Sequence, residues 1–155
     1  MASTSPLVEE FQRLQSIAVV GVSRSAGKPG TLIYRKLKQS GRRVFPVNPS
    51  AAEIDGDRCY PDLRSLPEKV EGVIVATAPS VTEGVVDECV GLGIGHIWMH
   101  RSLGRGSVSP EAVAKARGKG IKVIDGGCPM MFYPPVDFPH RCLRFVVGLA
   151  GRLPK

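Results

Sequence analysis

Between a compact apolar run and an amphipathic stretch the chain reads Gly21-Val22-Ser23-Arg24-Ser25-Ala26-Gly27-Lys28-Pro29-Gly30. Glycine and serine at this density let backbone N–H groups approach an anion. The N-terminus of a following helix adds favourable partial charge, and Arg24 and Lys28 add full ones. Two phosphate motifs can be tested against this stretch, and neither fits. A P-loop needs four residues between its first glycine and Gly-Lys, then Ser or Thr for magnesium. Here five residues separate Gly21 from Gly27, and Pro29 follows Lys28. A dinucleotide fingerprint needs G-x-G-x-x-G and an acid at the end of the second strand to hold the ribose 2′-OH. Ser23 takes the second glycine position, and Asn48 stands where the acid should be. The expected ligand is a phosphorylated nucleotide other than NAD.

The remaining reactive side chains form no catalytic set. His96 and His100 are four apart with Ile-Trp-Met between them, so on a strand they share one face, and no nearby carboxylate completes a metal site. His140 stands beside Arg141 in a proline-rich turn. Asp125 is the one acid placed at a strand end, and one acid makes no mechanism. Cys59, Cys89, Cys128 and Cys142 contain no C-x-x-C pair and read as four free thiols of a reducing compartment. Met130-Met131-Phe132-Tyr133 reads as a hydrophobic clamp over the sheet edge or a dimer surface. Binding is expected here rather than catalysis.

The elements that must position these residues alternate from one end to the other. Leu7, Phe11 and Leu14 recur at helical spacing. Ser16–Val20 is a strand, Thr31–Gln39 a helix stopped by Gly41, and Arg43–Val47 a strand whose Pro46 points to a sheet edge or a strand end. Residues 48–71 are turn-rich, with a short strand near Cys59. Gly72–Ala76 reads as a strand buried on both faces. A capping box at Ser80-Val-Thr-Glu83 opens a helix that stops near Gly91 or Gly93. His96–Met99 is a strand, Ser109-Pro110-Glu111 opens a helix ended by Gly118 and Gly120, Ile121–Ile124 is the last strand, and Arg141–Leu149 closes with a helix. Strands separated by helices of about ten residues imply right-handed βαβ units. The fold class is therefore α/β: a single doubly wound parallel sheet in a Rossmann-like three-layer sandwich, one domain over residues 1–155. Ligands of such sheets lie at the carboxyl ends of the strands. Those ends are the Gly21 loop, Asn48-Pro49, Thr77-Ala78-Pro79, His100-Arg101-Ser102 and Gly126-Gly127-Cys128-Pro129.

Composition agrees with a folded domain. The 155 residues are 43% apolar and 23% charged, with no run long enough to span a membrane and neither a basic start nor an apolar stretch in MASTSPLVEE. The cytoplasm is the expected location. The net charge of +7 is uneven: residues 1–50 carry eight basic and two acidic groups, 51–100 three and nine, and 101–155 ten and three. Aromatics are only 6% and the basic residues are scattered, so a pocket for a small polyphosphate is expected rather than nucleic acid.

In this order and spacing GVSRSAGKPG, RVFPVNP, VIVATAP, HIWM and DGGCPMM resemble the stand-alone CoA-binding proteins, whose Rossmann-type domain is similar to the N-terminal domain of the succinyl-CoA synthetase alpha subunit. The resemblance runs from about Leu7 to Cys128 and beyond. It implies coenzyme A, or an acyl-CoA, bound across the strand ends. Gly21 to Ser25 and Lys28 would follow the pyrophosphate and pantetheine, and Asn48 and Pro49 would border the adenosine. Thr77, Ala78 and Pro79 would pack along the nucleotide, and His100, Arg101 and Ser102 would face the pantetheine arm. The synthetase subunit has a lysine just after its equivalent of Asn48-Pro49, where this chain has Ser50-Ala51, so Arg24, Lys28 or Arg42 would supply that charge. The synthetase's phosphorylated histidine lies in a second domain without counterpart here, so a carrier, sensor or partner subunit without ligase chemistry is implied, as a homodimer or with a protein partner. Bound CoA would also bring its thiol near Cys128, whose pKa the N–H-rich loop would lower, making a mixed disulfide available under oxidation. Two other readings stay open: an NAD(P)-linked oxidoreductase, for which Arg24, Arg42 and Arg43 would favour a 2′-phosphate, and a protein-interaction module with a vestigial pocket.

Overall fold

The computed structural model describes residues 4–154; Met1, Ala2, Ser3 and Lys155 of the expected domain lie outside the described residues. Five parallel strands form the main sheet: β1 (Ser16–Val20), β2 (Arg43–Val47), β5 (Gly72–Val75), β6 (His96–Met99) and β7 (Lys122–Asp125), in the order β2-β1-β5-β6-β7. The order reverses between β1 and β5. A small hairpin of β3 (Glu53–Ile54) and β4 (Asp57–Arg58) turns through Asp55 and Gly56, both at positive φ, as a two-residue Asp-Gly turn requires.

Alternation along each strand explains the layers. Ile17, Val19, Ile74, Trp98 and Ile124 face one side and pack with α1 (Pro6–Gln12), α2 (Pro29–Gln39) and α5 (Phe138–Leu149). Ala18, Val20, Val73, Val75, Ile97, Met99 and Val123 face the other, against α3 (Pro79–Leu92) and α4 (Pro110–Gly118). Both faces are covered, which is why the strands are apolar without polar alternation. The doubly wound, three-layer expectation holds. Pro46 also falls where its chemistry allows, on edge strand β2: its carbonyl turns outward to accept the Tyr60 N–H at 3.0 Å, while Val47 O turns inward to accept from Gly21.

Several boundaries move, each for a local reason. Pro79 fixes the first helical φ of α3, so Ala78 is its N-cap, and the Ser80 capping box is replaced by an uncapped proline start. Pro29 likewise opens α2 two residues before Thr31. Helix α5 begins at Phe138 rather than Arg141, because Asp137 accepts the His140 N–H at 2.9 Å. Of the 130–133 run, Met131, Phe132 and Tyr133 are buried under α5 and α2, which makes them the clamp and not a surface. Outward residues of α5, Phe138, Phe145 and Leu149, are each more than two thirds exposed or nearly so, whereas Val147 faces the core.

Candidate functional site

Tight backbone contacts assemble the strand-end loops into one rim. Gly21 has φ 98°, and a Cβ there would stand 2.5 Å from the Ala76 carbonyl oxygen, so only glycine lets the β1 turn sit against the β5 turn. Gly30 lies beneath the same turn, with a notional Cβ 2.4 Å from Gly21 O. Thr31, wholly buried, then ties the loop: its hydroxyl donates to Ser23 O at 2.7 Å and accepts the Ser23 N–H at 3.0 Å. The Ser25 N–H donates to Ser23 Oγ at 3.0 Å. Arg24, Ser25 and Lys28 are exposed on the outer side of this loop, and Lys28 is the N-cap of α2.

Asn48 joins β2 to the same loop. Its Nδ2 donates to Val22 O at 2.7 Å, and its Oδ1 accepts the Ser50 N–H at 2.8 Å. An aspartate could not donate to Val22 O, so the residue that breaks the dinucleotide fingerprint has a positioning job of its own. Pro49 is exposed next to it. On the other side Thr77 O accepts the Ser107 hydroxyl at 2.7 Å, and Ser107 N–H donates to His100 O at 2.7 Å. Ala78 is exposed and Pro79 half-buried at the start of α3. Arg101 N–H donates to Gly127 O at 3.1 Å, which brings in β7. Asn48, Ser23, Thr77, His100 and Arg101 therefore lie along one continuous rim at the carboxyl ends of the strands.

Four expectations are corrected. Arg42 sits at the opposite end of β2 and is a clamp: its guanidinium donates to Leu14 O at 3.0 Å and Ser40 Oγ at 2.7 Å and lies over the Tyr133 ring. Of the three cations expected to supply that charge, Arg24 and Lys28 remain on the β1 loop, both exposed. Cys128 is buried, and burial pushes its thiol up; hydrogen bonds from the Met130 backbone and the Ser102 side chain offset this only in part. It is a protonated thiol near neutrality, not the activated one the loop suggested. Asp125 turns to Arg117 at 3.5 Å instead of standing free. His96 does meet a carboxylate, Glu10 at 2.9 Å, which also holds Lys122 and so forms an ion-pair cluster; no metal-ligand cluster occurs among the described residues.

His100 is the strongly perturbed group of the rim. Burial lowers its pKa from 6.5 to about 4, and its Nε2 lies 3.3 Å from the Ser102 hydroxyl. It is neutral at pH 7, so it offers a hydrogen bond and no charge. Between pH 6.5 and 4 the unfolded chain binds a proton that the folded chain refuses. The contribution is full above 6.5 and is lost as pH falls toward 4, up to about 3 kcal/mol. His100→Gln should therefore lose less stability than the wild type between pH 7 and 4.5, by about 2 kcal/mol in denaturant titrations. Parallel losses would show that His100 is not buried neutral.

Sequence reasoning missed Thr31, Ser107 and Trp98. The Trp98 indole N–H donates to Gly126 O at 2.9 Å and Gly127 O at 3.3 Å, so a core side chain holds the β7 end of the rim.

A family model described as a CoA binding domain matches residues 15–134. The ADP-forming acetate–CoA ligase II of Archaeoglobus fulgidus is 38% identical over 93 residues, 59% of this chain and 14% of the ligase. The chain thus spans a small part of that relative. Among solved structures, a hypothetical protein from Pyrococcus horikoshii OT3 superposes with a TM-score of 0.74 at 28% identity, covering 84% of this chain and 94% of the other. The apo form of a dinucleotide-forming acetyl-coenzyme A synthetase 1 from Ca. Korarchaeum cryptofilum superposes with a TM-score of 0.65 at 31% identity, covering 76% of this chain and 27% of that one.

Proposed function

The chain belongs to the CoA-binding domain family, and from that premise we propose that it binds coenzyme A or an acyl-CoA along the strand-end rim. The observation that carries this reading is the paired close approach of Gly21 to Ala76 and of Gly30 to Gly21, at the point where the strand order reverses. Turns pressed together this closely hold the β1 loop in one shape, which suits backbone N–H contact with a pyrophosphate, with Arg24 and Lys28 adding charge from the exposed side. Asn48 and Pro49 border the adenosine end, Thr77 to Pro79 follow the nucleotide, and neutral His100 with Arg101 and Ser102 receives the pantetheine arm.

The role is that of a carrier, a sensor or a partner subunit. This chain matches 14% of the ligase relative, which suits a CoA-presenting unit that works with a protein partner. No helix among the described residues is long and apolar enough to cross a membrane, and the cysteines among them are free thiols, which suits the reducing cytoplasm.

Calorimetric titration with CoA, ADP and NADPH tests the reading. Micromolar CoA binding is expected, with weaker ADP binding, no saturable NADPH binding, and loss of CoA binding in Ser23→Trp, whose indole would fill the loop. Absent CoA affinity in the wild type would sink the proposal and favour an interaction module; tighter binding of NADPH would favour the oxidoreductase.

A further inference from the structure

Helix α5 turns Val147 to the core and leaves Phe138, Cys142, Phe145 and Leu149 on its opposite side, all exposed. These four residues are four, three and four positions apart, the a/d spacing with which one helix packs along another. Phe138 and Leu149 are each 76% exposed, Phe145 is 67% exposed, and Val146 beside them 56%. Exposure on this scale leaves the stripe without a cover among the described residues. The segment that follows α5 folds back to the strand-end rim instead: Pro154 packs on Gly127, and Arg152 lines a cleft with Arg101 and Ser102.

Three features of the stripe fit a second copy of the same helix, laid antiparallel about a two-fold axis that passes between Cys142 and Phe145. The first is shape. In that arrangement Cys142 faces Phe145 and Phe138 faces Leu149, so the one small residue meets a large one in both copies, as close packing requires. A parallel pair would set Phe145 on Phe145 and leave a gap between the two Cys142 side chains. The second is charge. Arg141, exposed, lies three residues after Phe138 and four before Phe145, on the flank of the stripe, while the last turn of α5 carries no basic residue. Antiparallel packing brings Arg141 of one copy beside the last turn of the other, near Val146, where the helix dipole favours a cation. A parallel pair would bring the two Arg141 side chains together. The third is area. An aromatic side chain carries about 150–250 Å², so the four strongly exposed apolar residues present roughly 500 Å², near the top of the range for the largest patch on a monomer. Two such stripes laid on each other remove about 1,000 Å², where specific interfaces begin.

We propose that α5 is the interface of a homodimer, two copies pairing antiparallel through Phe138, Cys142, Phe145 and Leu149. The inference does not depend on the CoA reading.

Sedimentation velocity of the 155-residue chain, from about 1 to about 500 μM, provides the first arm. The mean mass should rise from one chain toward two with a midpoint on the order of 10 μM, as suits an interface at the lower limit of area. Phe145→Lys/Leu149→Lys should stay one chain throughout and keep its circular dichroism, since both side chains face solvent in the single chain. Arg141→Glu should weaken the dimer by about tenfold, because two symmetry-related contacts are lost at once. The second arm reads the orientation. In a Cys142→Ser background, Phe138→Cys and Leu149→Cys proteins are mixed and treated with a short bis-maleimide, while Cys59, Cys89 and Cys128 stay buried. The mixed pair should be joined in preference to either like pair; like pairs in excess would overturn the antiparallel arrangement. A wild type that remains one chain at every concentration overturns the dimer, and its flotation with phosphatidylserine vesicles would make the stripe a membrane contact instead. A double lysine variant that still dimerises places the interface elsewhere and overturns the proposal as well.

Discussion

Gly30→Ala is expected to weaken CoA binding by about a hundredfold, the scale on which a displacement near 1 Å removes a well-positioned contact. The methyl group would stand 2.4 Å from Gly21 O and 2.8 Å from Gly21 C, both backbone atoms that no rotamer change can move aside. Gly21 is itself pressed on Ala76, so relief must come from the Val22–Ser25 segment, the part of the rim offered to the pyrophosphate. Two effects on stability oppose each other. Alanine in a helix is favoured over glycine by about 1 kcal/mol, and overpacking costs about 1–3 kcal/mol, so a net loss near 1 kcal/mol is expected. Gly84→Ala is the control: it lies inside α3 with nothing within 4 Å of a notional Cβ, and it should raise stability without touching CoA affinity. Unchanged CoA binding in Gly30→Ala would mean that the ligand does not use the β1 loop.

The fold was legible wherever burial on both faces left its mark on composition. Ser16–Val20 and His96–Met99 are bounded in the structure as their apolar runs suggest. Helix starts were harder, because proline opens α2, α3 and α4, and only Ser109-Pro110 carries its own capping side chain. At Ser80 a capping motif competed with Pro79 one residue earlier; the ring constraint on φ won over a side-chain hydrogen bond.

The site was legible in part. Glycine and serine density marked the β1 loop, since close backbone approach needs those residue types. Thr31 and Ser107 carry no such mark: each acts on a carbonyl, Thr31 on Ser23 eight residues back and Ser107 on Thr77 thirty residues back. Arg42 misled for the related reason that charge is visible in a sequence and direction is not. It lies at the start of β2, and its donors are consumed by Leu14 and Ser40. Arg152 joins the rim only because Pro154 packs back on Gly127, a contact between the chain's end and a turn that no local pattern encodes.

Trp98 links these two levels, and its replacement should be the most damaging single change to stability. The side chain is fully buried, meets Phe11 edge-on at 5.4 Å and Phe132 at 5.6 Å, and spends its one donor on Gly126 O and Gly127 O. Trp98→Ala should cost about 4 kcal/mol, a large share of the 5–15 kcal/mol that holds a domain of this kind together. Trp98→Phe separates packing from hydrogen bonding. It keeps an aromatic ring against Phe11 and Phe132 but leaves the Gly126 and Gly127 carbonyls without the indole, at a cost of about 1–3 kcal/mol. Those carbonyls belong to the turn that also receives the Arg101 N–H, so loosening it should reach the ligand end of the rim as well as the core. In denaturant titrations Trp98→Phe should lie between the wild type and Trp98→Ala, and its CoA affinity should fall by about tenfold, the equivalent of about 1.4 kcal/mol lost on the rim. A Trp98→Phe protein as stable as the wild type would show that the indole donor is dispensable. One that loses stability but binds CoA unchanged would separate the β7 turn from the ligand.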